Sequence, residues 1–212
     1  EFLASYSFIE SDGNFLWFLT NNNAPNGKVV MLDFNDLQSG FQDVIPEEER
    51  SIRSVSMVNA KFIVNYLNDT FSDVRYFDAS GSFYDSLKMP KLGTISGLRG
   101  KKEDSFSYFS FTNFTQPTQI FKLNLKTNTF EIFWEEELNN FQPKEYISKM
   151  IFYPSKDGTM IPLHISYKKS TFIDNLIGFL QPSSGKITVD GIDIHKSTST
   201  WMQNIGYVPQ TI

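Results

Sequence analysis

Three short motifs, VVMLDF starting at residue 29, VRYFD at 74 and IFKLNL at 120, recur in the chain with a period of about 45 residues. Each is preceded by an aromatic segment, FLWFLTN, FIVNYLND or YFSFTNF, and followed by FQDVIP (41–46), SFYDSL (82–87) or TFEIFW (129–134). The segments are short, aromatic or β-branched, and bounded by Asn, Asp, Gly or Pro, which is the pattern of strands. A unit of this length with four strands has the size of one propeller blade. Three units are too few to close a ring of four to eight. The expected fold is therefore mainly β: a partial β-propeller of about three four-stranded blades, not closed. An antiparallel sandwich of similar strands is the alternative. Either way, unpaired edges are expected to promote self-association.

The pattern changes after residue 145. KMIFYPSKDGTMIPLHISY (149–167) reads as two strands around an Asp157-Gly158 turn, with Pro162 favouring an edge position because it cannot donate to a ladder. STFIDNLIGFL (170–180) places Phe172, Leu176, Ile177 and Leu180 on one helical face, stopped by Pro182. GKITVDGIDI (185–194) returns to strand, turn and strand, and NIGYVPQ (204–210) reads as a further strand. The chain thus divides into a partial propeller over 1–145, a β hairpin over 146–168 and a small β-α fragment over 169–212.

Composition narrows the chemistry. The chain has no cysteine and two histidines, His164 and His195, which excludes thiolate sites and histidine-rich metal centres. A net charge of -5, with no basic cluster longer than the Lys101-Lys102 pair, speaks against a nucleic-acid partner. No apolar run spans a membrane and no signal-type leader is present, so a cytoplasmic location is expected, or a periplasmic one if a signal precedes residue 1. His164 on a strand, and Lys156 and Asp157 in a turn, read as structural. No G-x-S-x-G occurs, and no metal ligand set is assigned.

Residues 13–168 resemble the prolyl oligopeptidase family, on FLTNNNAPNGKVVMLDF, VIPEEE, AKFIVNYLND, GLRGKKEDSFSYFSFTNFTQPTQIFKLNL and above all KMIFYPSKDGTMIPLHISYKK. The resemblance implies part of that family's propeller followed by the opening hairpin of its α/β-hydrolase domain. In such a peptidase the propeller restricts access, so that only short peptides reach the Ser/Asp/His triad and are cut after proline. The residues carrying that triad are not in this sequence, so a truncated and inactive piece is expected. Its partners would be short peptides and the missing remainder of propeller and hydrolase domain, with no cofactor.

Residues 169–212 resemble the ATP-binding domain of ABC transporters, on KSTFIDNLIGFLQPSSGKITVDGIDI and WMQNIGYVPQ. This implies Lys169 on the β and γ phosphates, Ser170 on magnesium, Thr171 on the phosphates at the helix start, and Gln210 near magnesium and the attacking water. Mg-ATP would be the cofactor, and a membrane would be met only through the transporter parent. A complete loop reads G-x-x-x-x-G-K-[ST], whereas Lys168 stands here where its last glycine belongs. The expected join between the two resemblances lies at 168–169. A nucleotide-binding module and a free-standing interaction module remain beside the peptidase reading.

Overall fold

The computed structural model describes residues 4–138, 141–176, 180–189 and 191–196. It divides into two compact units, Glu1–Glu137 and Leu138–Ile212.

The first unit contains three four-stranded antiparallel sheets, each made of consecutive strands in sequence order. The first holds β1 (Tyr6–Asp12), β2 (Phe15–Thr20), β3 (Lys28–Asp33) and β4 (Phe41–Ile45). The second holds β5 (Ser51–Val58), β6 (Lys61–Asn68), β7 (Phe71–Phe77) and β8 (Phe83–Ser86), and the third β9 (Thr94–Arg99), β10 (Phe106–Asn113), β11 (Gln116–Asn124) and β12 (Thr129–Glu135). These are three blades of an open propeller arc, and no sheet closes among the described residues. The strands that the sequence did not locate, β1, β5 and β9, are the first of each blade. Tight turns set the ladders: Asn59 and Ala60 both adopt left-handed angles, φ 53° and 55°, between β5 and β6. Two consecutive positive φ values match the right-handed twist of a two-residue hairpin.

Packing is face to face, and β6 shows why. Phe62, Ile63, Val64, Asn65 and Tyr66 are all buried, although their side chains alternate between two faces. Phe62, Val64 and Tyr66 join Trp17, Val29 and Ile45 of the first blade in one core. Ile63, with Val74 and Tyr76, joins Phe109, Phe121 and Leu123 of the third blade in another. The middle blade is thus covered on both sides and each outer blade on one. The contact is close enough that a Cβ on Gly81 would lie 1.9 Å from the Val44 carbonyl oxygen, which only glycine permits.

The repeat shows what the outer faces resemble. Ladder pairing places Val29, Val74 and Ile120 at corresponding positions, with Ile45, Leu87 and Trp134 beside them. Ile45 and Leu87 are 2% and 8% exposed, but Trp134 is 49% exposed. On the opposite side of the arc, Tyr6, Phe8 and Phe41 gather exposed around Phe18. Phe18 corresponds in register to buried Val64 and Phe109.

In the second unit β13 (Tyr146–Pro154) and β14 (Met160–Lys168) form the expected hairpin, paired from Tyr146 with Lys168 to Pro154 with Met160. Its turn holds Gly158 at φ 86°. Helix α1 (Lys169–Leu176) follows β14 directly, and the Leu180 N–H then donates to the Asp174 carbonyl at 3.0 Å. The helix expected over 170–180 thus runs as helix to Leu176, while Ile177 lies outside the described residues. Phe172 is 49% exposed and rests on the Tyr167 ring at 5.0 Å. Two short strands, β15 (Thr188–Val189) and β16 (Ile192–Asp193), stand where strand, turn and strand are expected, and 204–210 lies outside the described residues.

Phe62 is fully buried and meets Trp17 edge to face at 6.1 Å. Phe62→Ala should cost about 3–5 kcal/mol of unfolding free energy, measured by urea titration. Phe114→Ala, at a side chain 70% exposed, should stay within about 0.5 kcal/mol.

Candidate functional site

The residues singled out for nucleotide binding fall at the start of α1. Lys169 donates from Nζ to the Lys144 carbonyl at 2.5 Å, and Lys168 pairs with Glu145 at 2.9 Å. Ser170 and Thr171 are exposed in the first turn, and the Thr171 carbonyl accepts from Asn175 Nδ2 at 2.8 Å. Residues 160–168, immediately upstream, are ladder-paired strand, so their backbone forms no loop around the helix start. Gln210 lies outside the described residues. His164 sits opposite Met150 in the hairpin.

Sequence reasoning missed a different site, a cleft of about 370 Å³ between the second and third blades. Its floor is a polar clamp. Asn65 donates from Nδ2 to the Ile95 carbonyl at 3.0 Å, Ser72 accepts the Ile95 N–H on its hydroxyl at 2.9 Å, and the Ser72 N–H donates to the Gly93 carbonyl at 2.9 Å. Asn65 is only 6% exposed and its Oδ1 accepts no hydrogen bond. Arg53 and Arg99 line the same cleft, and both are exposed.

Both arginines are set by irregularities in their strands. Ile52 pairs with Tyr66 and Ser54 with Asn65, which leaves Arg53 as the extra residue of a bulge. Gly97 pairs with Phe109 and Arg99 with Tyr108, so Leu98 is extra there and takes φ 58°. A left-handed leucine is rare, and bulges of this kind re-aim side chains. Gly97 itself has φ 99°, and a Cβ there would come within 2.8 Å of the Tyr108 carbonyl oxygen.

A charged network lies around the second blade. Arg75 donates from Nε to Asp73 at 2.9 Å and from Nη1 to Glu48 at 3.0 Å, and it lies over the Tyr66 ring. Arg50 adds a 2.9 Å bond to Asp73. Burial raises the carboxyl pKa of Glu48, with Arg50 pulling it down. Burial also pushes the phenol pKa values of Tyr66 and Tyr76 up, helped at Tyr66 by the Glu48 and Asp73 charges. These arginines are saturated by carboxylates and are structural, in contrast to the pair in the cleft.

Comparison with known proteins places this architecture. Residues 1–136 match the family described as the prolyl oligopeptidase N-terminal β-propeller domain. The chain belongs to the prolyl oligopeptidase family. It is similar to the prolyl endopeptidase of Elizabethkingia meningoseptica, 33% identical over 169 residues, which is 79% of this chain and 24% of the relative. The dual function macrocyclase-peptidase POPB of Amanita bisporigera is 26% identical over 214 residues, 98% of this chain and 29% of the relative, so its alignment runs past residue 169. The structure of apo prolyl oligopeptidase B from Galerina marginata superposes with a TM-score of 0.74 at 26% identity, over 80% of this chain and 25% of that one. The chain spans about a quarter of the length of these relatives. No described helix is long and apolar enough to cross a membrane.

In this prolyl-oligopeptidase-type arc the buried phenols make stability depend on alkaline pH. A folded pKa above the ordinary 10.0 means that the folded chain keeps a proton the unfolded chain releases. The stabilisation is fully present below pH 10 and is lost as pH rises beyond it. Of the nine tyrosines, Tyr66 and Tyr76 should ionise only as circular dichroism is lost, followed by absorbance at 295 nm. Tyr76 carries a buried hydroxyl with no hydrogen-bond partner. Tyr76→Phe should therefore raise the alkaline midpoint without lowering stability at neutral pH; a lower midpoint would contradict the assignment.

Proposed function

We propose that this chain is a non-catalytic propeller segment of a prolyl-peptidase-type protein, shaping access to a catalytic centre and performing no hydrolysis itself. The observation that carries the reading is the pair of bare outer faces. Trp134 stands where the repeat elsewhere buries Ile45 and Leu87, and Phe18 where it buries Val64 and Phe109. Faces of this composition are seats for further blades, and the relatives have about four times the length in which to supply them. Short peptides are the substrates the reading implies for the whole protein, and a hydrolase domain entered through the β13–β14 hairpin is its implied partner.

The same reading gives Lys169, Ser170 and Thr171 a structural role at the strand-to-helix junction. The extended strand up to Lys168 supports this, because a phosphate cradle needs a loop whose backbone N–H groups converge ahead of the helix. The alignment that passes residue 169 also supports a single family across the join.

The purified chain should show no turnover of a proline-containing reporter peptide, and turnover blocked by a serine-directed inhibitor would overturn the proposal. Millimolar Mg-ATP should leave its thermal midpoint unchanged; an upward shift would restore nucleotide binding. Exposed aromatic faces should also drive association of the isolated chain. The double substitution Phe133→Ser and Trp134→Ser should lower its weight-average mass in sedimentation experiments relative to the parent chain.

A further inference from the structure

The chain has four arginines, Arg50, Arg53, Arg75 and Arg99. Two of them, Arg50 and Arg75, are held by Asp73 and Glu48. The other two converge on the cleft between the second and third blades, whose lining contains no aspartate or glutamate. We propose that this cleft binds the C-terminal carboxylate of a short peptide. The site requires neither hydrolysis nor a further domain, so it stands apart from the function proposed above.

The chemistry of the lining selects the ligand. Guanidinium groups present planar donor forks suited to carboxylates and phosphates, and unpaired ones beside a cleft attract an oxyanion. Two bulges on neighbouring strands aim Arg53 and Arg99 at the same space, and Leu98 holds an unfavourable left-handed conformation in the second of them. Strain of this kind persists only where the surroundings enforce it, and it gathers at binding sites.

A second, independent observation points to a ligand with a donor as well as an anion. Asn65 is nine-tenths buried at the cleft, its Nδ2 is committed to the Ile95 carbonyl, and its Oδ1 has no donor. A buried acceptor left unmatched is destabilising, and a ligand N–H would match it. A peptide end supplies a carboxylate and an amide N–H a few bonds apart. Leu67 and Phe71 add apolar surface for its side chain. The volume of about 370 Å³ lies in the range of small-ligand sites, so a lone phosphate would leave most of it unused.

The test uses the full 212-residue chain and three probes: N-acetyl-Ala-Ala-Leu with a free carboxylate, the same peptide as its C-terminal amide, and inorganic phosphate. Calorimetric or NMR titration should show saturable binding of the acid, weakening as salt is raised, with the amide and phosphate each about tenfold weaker or worse. Arg53→Gln and Arg99→Gln should each weaken acid binding about tenfold and together abolish it. Arg53→Lys, which keeps the charge but loses the fork, should fall between. Because both side chains are exposed, the variants should melt like the parent chain, which separates loss of binding from loss of fold. Equal binding of acid and amide, phosphate binding as tight as the acid, or no binding of the acid at about 10 mM to the folded chain would overturn the proposal.

Discussion

The structure depends on sheets that bury one another face to face. A four-stranded blade made of consecutive short strands has two apolar faces and no means of covering either alone. In the middle blade this requirement is met twice, and five successive residues of β6 are buried as a result. The polar clamp at Ile95 rests on the same contact. Asn65 and Ser72 reach the backbone of the next blade only because the two sheets lie close together, and the cleft opens beside that clamp.

The periodicity of the chain carried most of this architecture. VVMLDF, VRYFD and IFKLNL are the third strands of three blades, and the aromatic segments around them are the second and fourth strands. The first strands were not located because they lack that pattern. β5 carries exposed Arg53 and Ser54, and β9 is interrupted by the Gly97-Leu98 irregularity, so neither alternates cleanly. The hairpin was legible from Asp157-Gly158 between two apolar runs, which is local turn chemistry. The helix was legible from its apolar spacing: Phe172 and Leu176 fall within α1, and Ile177 lies outside the described residues.

The cleft was not legible, for a physical reason. Its parts come from strands far apart in sequence, and a bulge changes the side to which a residue points without leaving a clear mark in composition. One signal was available: Arg53 and Arg99 lie about one repeat apart in a chain with only two other arginines. The resemblance of KST to a phosphate loop drew attention instead to Lys169, whose side chain is engaged by a backbone carbonyl one hairpin away.

Each blade here is closed within its own stretch of chain, since the strand order in every sheet is the sequence order. No blade borrows a strand from another, so a cut at Glu47 or Lys91 would sever no hydrogen-bonded ladder. The ladders can therefore form locally, with short loops to close, before any blade meets its neighbour. An arc of this kind can be lengthened or shortened by whole blades during evolution, the cost falling on the interfaces and not on the sheets.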